Sequence, residues 1–401
     1  MKKITCLAVC FVFLFSACLQ AASVVDLDGH IKYYASSAVF SPDSKKIAVA
    51  DDSTYIWDIV SGKILRTLEG GLCTLGETMT GGWSPDGTKI ATTGGIWDVE
   101  SGKKLHSLSG TWSPDGTKIV TAGRQITQIW DAESGNNLHT LEGTLGTWSP
   151  DGTKIVTAGQ DNISRIWDVK SGMVLQKLDL ISGWGADLAN EWGKFVFSPD
   201  GTKIAVINYH SAPIILICDI NTGKLLRTFR GRVIDGWQAC GNMYSFGNVV
   251  FSPDSKKIVV MALINPCDGA TDLRTMSVRE RMKYSRTRRE FSRLTQLAER
   301  EASNARIWNI DTGNELVLRG YGRDNELIAT DFSPDGKRII STRGNAVRTW
   351  DASTGRLLQT SGKKLKLQEG NIIARSPDGK RVAVVYYNVD YSNTIRIWTL
   401  P

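Results

Sequence analysis

The chain has 401 residues, of which 41% are hydrophobic and 22% charged, the proportions of an ordinary soluble globular protein. Its formal charge of +7 is mild and sits partly in a leader and one insert, so it excludes no partner class and implies no general nucleic-acid role. Length alone suggests about two or three domains, unless a repeat array absorbs the chain in one body.

The first residues read as an export signal. Lys2 and Lys3 precede an apolar run from Ile4 to Phe15 and then small residues, the layout of a secretory leader. The run is too short to span a bilayer comfortably. Two processing readings stand side by side. Phe15-Ser16-Ala17-Cys18 resembles a bacterial lipobox, with Cys18 lipidated, whereas Leu19-Gln20-Ala21-Ala22 offers cleavage after Ala21 or Ala22. Residues 1–22 are therefore expected to be a signal peptide or lipoprotein leader. The expected location is exported: periplasmic or envelope-anchored, or secreted. Past the leader, Cys73, Cys218, Cys240 and Cys267 remain, in a compartment that permits disulfides.

From residue 23 onward one pattern dominates. Ser-Pro-Asp recurs eight times, beginning at Ser41, Ser84, Ser113, Ser149, Ser198, Ser252, Ser333 and Ser376. Each copy precedes a β-branched run such as Lys154-Ile155-Val156-Thr157, and most are followed by an Ile-Trp-Asp-like tag at Trp57, Trp97, Trp130, Trp167, Trp308, Trp350 or Trp398. A Ser/Thr-Gly turn and a leucine alternation such as Leu65-Arg66-Thr67-Leu68 complete the unit. Proline presets φ at the second turn position and Asp-Gly tolerates positive φ, so each copy predicts a tight turn between two strands. Repeats of roughly 40 residues with several short strands predict a ring of small sheets. The expected fold is all-β: a single closed β-propeller over residues 23–401 with eight four-stranded blades. Ser84 and Ser113 are compressed together, so seven blades, with irregular ones near residues 84–148, is the alternative. Cys218 replaces tryptophan in Ile217-Cys218-Asp219 and is expected to be a buried apolar substitute. The chain ends at Trp398-Thr399-Leu400-Pro401 without a fourth strand, and Ser23 to Leu27 resembles an outer strand without its first three. Pairing of the two is expected to close the ring and remove exposed edges.

The Ser-Pro-Asp-Gly turn, Ile-Trp-Asp and the following Ser/Thr-Gly-Lys resemble the WD-repeat family over nearly the whole chain after the leader. The resemblance implies a rigid platform that assembles other proteins through its loop face. Departures are visible. The family's Gly-His pair is matched only at Gly29-His30, and its turn aspartate at Asp51 and Asp161 but not at Arg124 or Gly344. The hydrogen-bond network built on those residues is expected to be incomplete.

The largest departure is an insertion, residues 266–303, between Ile258-Val259-Val260-Met261 and Arg306-Ile307-Trp308. Its composition predicts a helix from about Thr271 to Ala302, with Phe291, Leu294 and Ala298 on one apolar stripe. Around it lie Arg279, Arg281, Arg286, Arg288, Arg289 and Arg293. One reading packs this helix across the ring. The other docks it electrostatically on an acidic protein, a polyanion or an anionic membrane surface, with nucleic acid the least expected. The segment from Gly231 to Gly247 carries Trp237, Tyr244 and Phe246, an aromatic density suited to a contact surface or to packing under the helix. Cys240 and Cys267 are expected to be bonded across these two segments. Trp184 and Trp192 mark another long loop.

Little in the chain supports catalysis. The four histidines, His30, His106, His139 and His210, fall in no zinc-binding spacing, and the recurring aspartates belong to turns. No catalytic residue, cofactor-binding residue or metal ligand is assigned. The expected function is a non-catalytic protein-interaction scaffold of the cell envelope, binding through one loop face. The alternative is a propeller enzyme or small-ligand binder of the periplasm using the central channel. The oligomeric state stays open.

Overall fold

The computed structural model describes residues 24–27, 37–50, 52–72, 74–75, 78–79, 82–123, 125–159, 161, 163–179, 194–208, 214–230, 244–264, 305–318, 329–343, 346–361, 370–378, 380–387 and 393–399. They form seven four-stranded antiparallel sheets, one three-stranded sheet and a small two-stranded ladder. Among the described residues there is no helix, and the expected helix at 266–303 lies outside them.

The first sheet runs Ser37–Phe40, Lys46–Ala50, Ser53–Asp58, Ile64–Glu69, and the two-stranded ladder Thr74–Leu75 with Thr78–Met79 follows. The second sheet has only Lys89–Thr92, Gly95–Asp98 and Lys104–His106; the third has Thr111–Trp112, Lys118–Ala122, Ile126–Asp131 and Asn137–Glu142. The fourth and fifth run Thr144–Trp148, Lys154–Ala158, Ile163–Asp168, Val174–Asp179 and Lys194–Phe197, Lys203–Asn208, Ile214–Asp219, Leu225–Arg230. The sixth is Tyr244–Phe251, Lys257–Ile264, Arg306–Asn309, Glu315–Val317, and the seventh Ala329–Phe332, Arg338–Arg343, Ala346–Asp351, Leu357–Ser361. The eighth joins Gly370–Arg375, Arg381–Tyr387 and Asn393–Thr399 to the N-terminal strand Val24–Leu27, with Val24 opposite Trp398 and Leu27 opposite Ile395. The expected pairing of the two ends of the repeat region is thus present.

Each Ser-Pro-Asp copy turns the first strand of its sheet into the second, and alternation along the second and third strands buries one residue in two against neighbouring sheets. Ile47 and Val49 of the first sheet pack with Ile395 and Ile397 of the eighth, while Ala48 and Ile56 pack with Ile90 and Trp97 of the second. Similar clusters join second to third, third to fourth, fourth to fifth, fifth to sixth and sixth to seventh. The core is therefore a series of inter-sheet layers. Cys218 is fully buried among Ile204, Phe197 and Ile220 and carries a free thiol, and burial pushes its pKa up to about 12.

The compressed copies form two separate sheets. The second falls short of the expected four strands because in place of a first strand it has two isolated bridges, Leu72 to Thr92 and Trp83 to Ile90. The third keeps just two residues in that position. Tryptophan side chains beside these short strands reach main-chain carbonyls of the preceding sheet, and the Gly82 carbonyl also accepts from Ala91 N at 3.0 Å. Trp83 Nε1 donates to Val39 O at 3.3 Å, Trp112 Nε1 to Gly82 O at 3.0 Å, and Trp148 Nε1 to Thr111 O at 3.2 Å. Each indole stitches its sheet to the one before it. Four other copies have Phe40, Phe197, Phe251 or Phe332 at this position, which cannot donate, and the eighth has Arg375.

Candidate functional site

Every sheet has two ends of different character. At the turn end, Ser149 Oγ donates to Asp151 Oδ1 at 2.6 Å and accepts from Lys154 N at 2.9 Å. Asp151 also accepts from Thr153 N. Burial raises the Asp151 pKa, but the bonds from Ser149 and Thr153 outweigh it and hold the carboxyl at about 2. The same arrangement recurs at Asp43, Asp86, Asp115, Asp200, Asp254, Asp335 and Asp378. A second series, including Asp58 and Asp168, accepts from the backbone N–H and hydroxyl of Ser61 and Ser171 and is likewise held low. These carboxylates are saturated by local donors, which suits turn-making and not proton transfer.

The turns also touch one another. A Cβ at Gly116 (φ 72°) would lie 3.2 Å from Pro85 Cδ of the preceding turn. Two copies carry serine at the glycine position, Ser44 and Ser255, both at φ 58°. Their hydroxyls accept from the preceding turns: Ser44 Oγ from Asp378 N at 3.4 Å and Ser255 Oγ from Asp200 N at 3.1 Å. Arg381 adds a bond to Ser44 O at 2.8 Å. All turn ends therefore share one side of the array.

At the opposite, loop end the expected interruption of the family's hydrogen-bond network is present in a specific form. Trp167 Nε1 donates to Thr157 Oγ1 at 2.9 Å, and that hydroxyl donates to the Glu142 carbonyl of the preceding sheet at 2.8 Å. Thr92 does the same between Trp97 and Glu69 O. In both, the acceptor is a main-chain carbonyl of the preceding sheet. Asp161 then pairs with Arg165, a buried guanidinium that also lies 3.5 Å from Glu142. The Arg165 bond holds Asp161 at about 2. Nothing in the turn motif signals this arginine.

Two of the four histidines lie among the described residues. His106 Nε2 donates to Glu133 O at 3.1 Å and His139 Nε2 to Lys170 O at 3.2 Å; a carbonyl only accepts, so Nε2 carries the proton. Both clasp the turn of the next sheet, as Arg66 does through Glu100 O. Among the described residues no group of three or more His, Cys, Asp or Glu is placed to hold a metal ion.

The sixth sheet departs most from the repeat. Its first two strands have eight residues each, and the third strand pairs with the second only as far as Val260 opposite Arg306. Among the described residues Ala262–Ile264 pairs with Tyr244–Phe246, after a bulge between Phe246 and Val249. The first two strands thus run on past Val260 toward the loop end by about 13 Å for four residues. Tyr244 faces Ile264 at its tip, so the segments 231–243 and 265–304 leave from adjacent strands. The backbone register therefore places Tyr244 at this tip. Trp237, Cys240, Cys267, Arg279, Arg281, Arg286, Arg288, Arg289 and Arg293 lie outside the described residues, as does Cys18. The apolar run Lys257-Ile258-Val259-Val260-Met261-Ala262-Leu263-Ile264 was the available signal for the long second strand.

Residues 135–168 match the family model of the WD domain, G-beta repeat. The matched stretch runs from the turn before the fourth strand of the third sheet to the end of the third strand of the fourth. It supports a place among WD-repeat proteins, whose repeats commonly mediate protein–protein interaction and are generally not catalytic. A search of curated proteins finds none that matches the chain.

Proposed function

We propose that this chain is a non-catalytic interaction scaffold, exported to the cell envelope, in which the eight sheets close into one ring. Its partner is a protein held at the loop end of the sixth sheet. The observation that carries this reading is the pairing of Tyr244 with Ile264, because the aromatic segment 231–243 and the arginine-rich segment 265–304 adjoin these two paired residues in the chain. A rigid platform with a displaced, charged loop cluster is a common geometry for recognition. Inter-sheet packing runs unbroken from the eighth sheet through the first to the seventh; among the described residues no such cluster joins the seventh to the eighth, so the expected closed ring is not formed there and closure is part of the proposal. Cys240 and Cys267 lie within four residues of the paired Tyr244 and Ile264, so a disulfide between them is part of the proposal.

The test is copurification from the native envelope with the intact chain and with a folded variant in which residues 266–303 are replaced by a short flexible linker. A partner lost only with the insert supports the reading; the same partners from both overturn it. Joint substitution of Arg281, Arg286 and Arg289 by glutamine should weaken binding and flatten its salt dependence. Mass mapping of an unreduced digest should find the Cys240–Cys267 peptide pair, and two free thiols would end that part.

A further inference from the structure

One apolar position recurs on the same face of the sheets. The residue before the tryptophan tag, or before Cys218 in the fifth sheet, is Ile56, Ile96, Ile129, Ile166, Ile217, Ile307 or Ile397. All are buried, one in each of the clusters that join a sheet to the next. The seventh sheet has Thr349 in this place, half-buried, before Trp350. Two further places on that sheet change the same way. Leu68, Leu141, Leu178, Phe229 and Leu27 lie opposite the residue two before the isoleucine, whereas the seventh sheet has Ser361 there, opposite Val347. On the first strands Val39, Val196 and Val250 lie opposite Ala48, Ala205 and Val259 and pack against the following sheet. In the seventh sheet Asp331 holds that position, opposite Ile340. The eighth sheet, next in order, has Arg375 opposite Val382, where the first has Phe40 opposite Ile47 and the seventh Phe332 opposite Ile339.

We propose that this seam is the opening of the ring: the seventh and eighth sheets part there reversibly while the other seams hold. This rests on the reading that the eight sheets close into one ring. At every other seam, separation would return a buried isoleucine to water, and the cost follows the apolar area exposed. At the seventh, Thr349, Ser361 and Asp331 stand where aliphatic side chains stand elsewhere, and polar groups regain hydration when the sheets part. The eighth sheet stays packed on the first through Leu27, Ile395 and Ile397, and is joined to the seventh in the chain by residues 362–369. The two chain ends, paired within the eighth sheet, are therefore not where the ring parts. The scaffold has a closed and an open state, and a partner that binds the uncovered face of the seventh sheet selects the second.

The experiment uses the full chain with nitroxide labels on azide-bearing residues introduced at Lys337 and Lys380, exposed positions after the turn glycines of the seventh and eighth sheets. Thr117 and Thr153 hold the same places in the third and fourth and give the reference distance of a packed seam. Distances are measured by pulsed electron resonance in buffer and in urea below the unfolding midpoint. The Lys337/Lys380 pair is expected to show a population near the reference distance in buffer and, in urea, a second and longer one that the Thr117/Thr153 pair lacks. Thr349→Ile combined with Ser361→Leu should lower the longer population roughly threefold or more. An unchanged longer population in that variant, with the Thr117/Thr153 distance intact, overturns the assignment to these residues. A Lys337/Lys380 pair that keeps the reference distance until both pairs broaden together overturns the opening and leaves the ring standing. A Lys337/Lys380 pair with no population near the reference distance in either condition overturns the closed ring, and the opening with it.

Discussion

Trp167 donates its indole N–H to the Thr157 hydroxyl at 2.9 Å, and the same bond joins Trp97 to Thr92, Trp130 to Thr121 and Trp350 to Ser341. The first sheet breaks the pairing. Trp57 is fully buried with Nε1 unsatisfied, and the position two residues beyond its cross-strand neighbour Ile47 is Val49. A buried donor without a partner costs about 1–3 kcal/mol. Val49→Thr supplies the missing acceptor at nearly constant volume and should raise stability by about 1 kcal/mol. A urea midpoint at or below that of the parent would show that the hydroxyl does not reach Trp57. The fifth sheet reaches the same end differently: Val206 occupies the acceptor position and Cys218 the tryptophan position, so no indole N–H needs satisfying.

The tryptophan stitches across the short inner strands should carry measurable stability. Trp112→Phe keeps an aromatic ring but removes the bond to Gly82 O. The expected loss is about 1–2 kcal/mol, with faster amide exchange concentrated in the second and third sheets. A loss spread evenly over all sheets would contradict a local stitch.

Leu27 is fully buried between the eighth and first sheets beside Trp57 and Ile395. Leu27→Ala should cost about 2–5 kcal/mol, and deletion of Val24–Leu27 more, since it also opens a sheet edge. Thermal melts of both variants check this; an unchanged midpoint for the deletion would mean that the terminal strand is dispensable.

Acid should destabilise the fold over a defined window. Asp151, Asp161 and Asp200 are held at about 2 against an ordinary value of 3.8. A folded pKa below the unfolded one means the folded state resists protonation. Their contribution is therefore fully present above about pH 4 and is lost as pH falls through 4 toward 2. Denaturant midpoints measured from pH 6 to pH 2 should fall across that window. Asp161→Asn should reduce the slope, and an unaltered slope would show that the Arg165 pair does not contribute. Exposure of Asp161, 41% for its side chain, keeps its individual share small.

Ser44 combines a strained backbone with a useful hydroxyl. Ser44→Ala keeps φ near 58° and loses the bond from Asp378 N, so it should destabilise by about 1 kcal/mol. Ser44→Gly loses the same bond but relieves the strain, and should lie closer to the parent. If the two variants melt together, the left-handed backbone at residue 44 costs nothing.

What could be read from the sequence alone was whatever is local and repeated. The turn at each Ser-Pro-Asp, the third strands at the tryptophan tags, the buried role of Cys218 and the terminal strand ending at Leu27 all follow from short-range turn chemistry and period-two alternation. Those signals are written within a few residues of the structure they specify. Only the tertiary structure decided what happens between sheets. Trp112 finds Gly82 across 30 residues and Trp148 finds Thr111 across 37, and Arg165 pairs with Asp161 while lying beside Glu142 of the preceding sheet. Donors and acceptors of this kind are matched by the spacing and rotation of packed sheets, and a repeat motif that describes each sheet separately carries no term for the distance to the next.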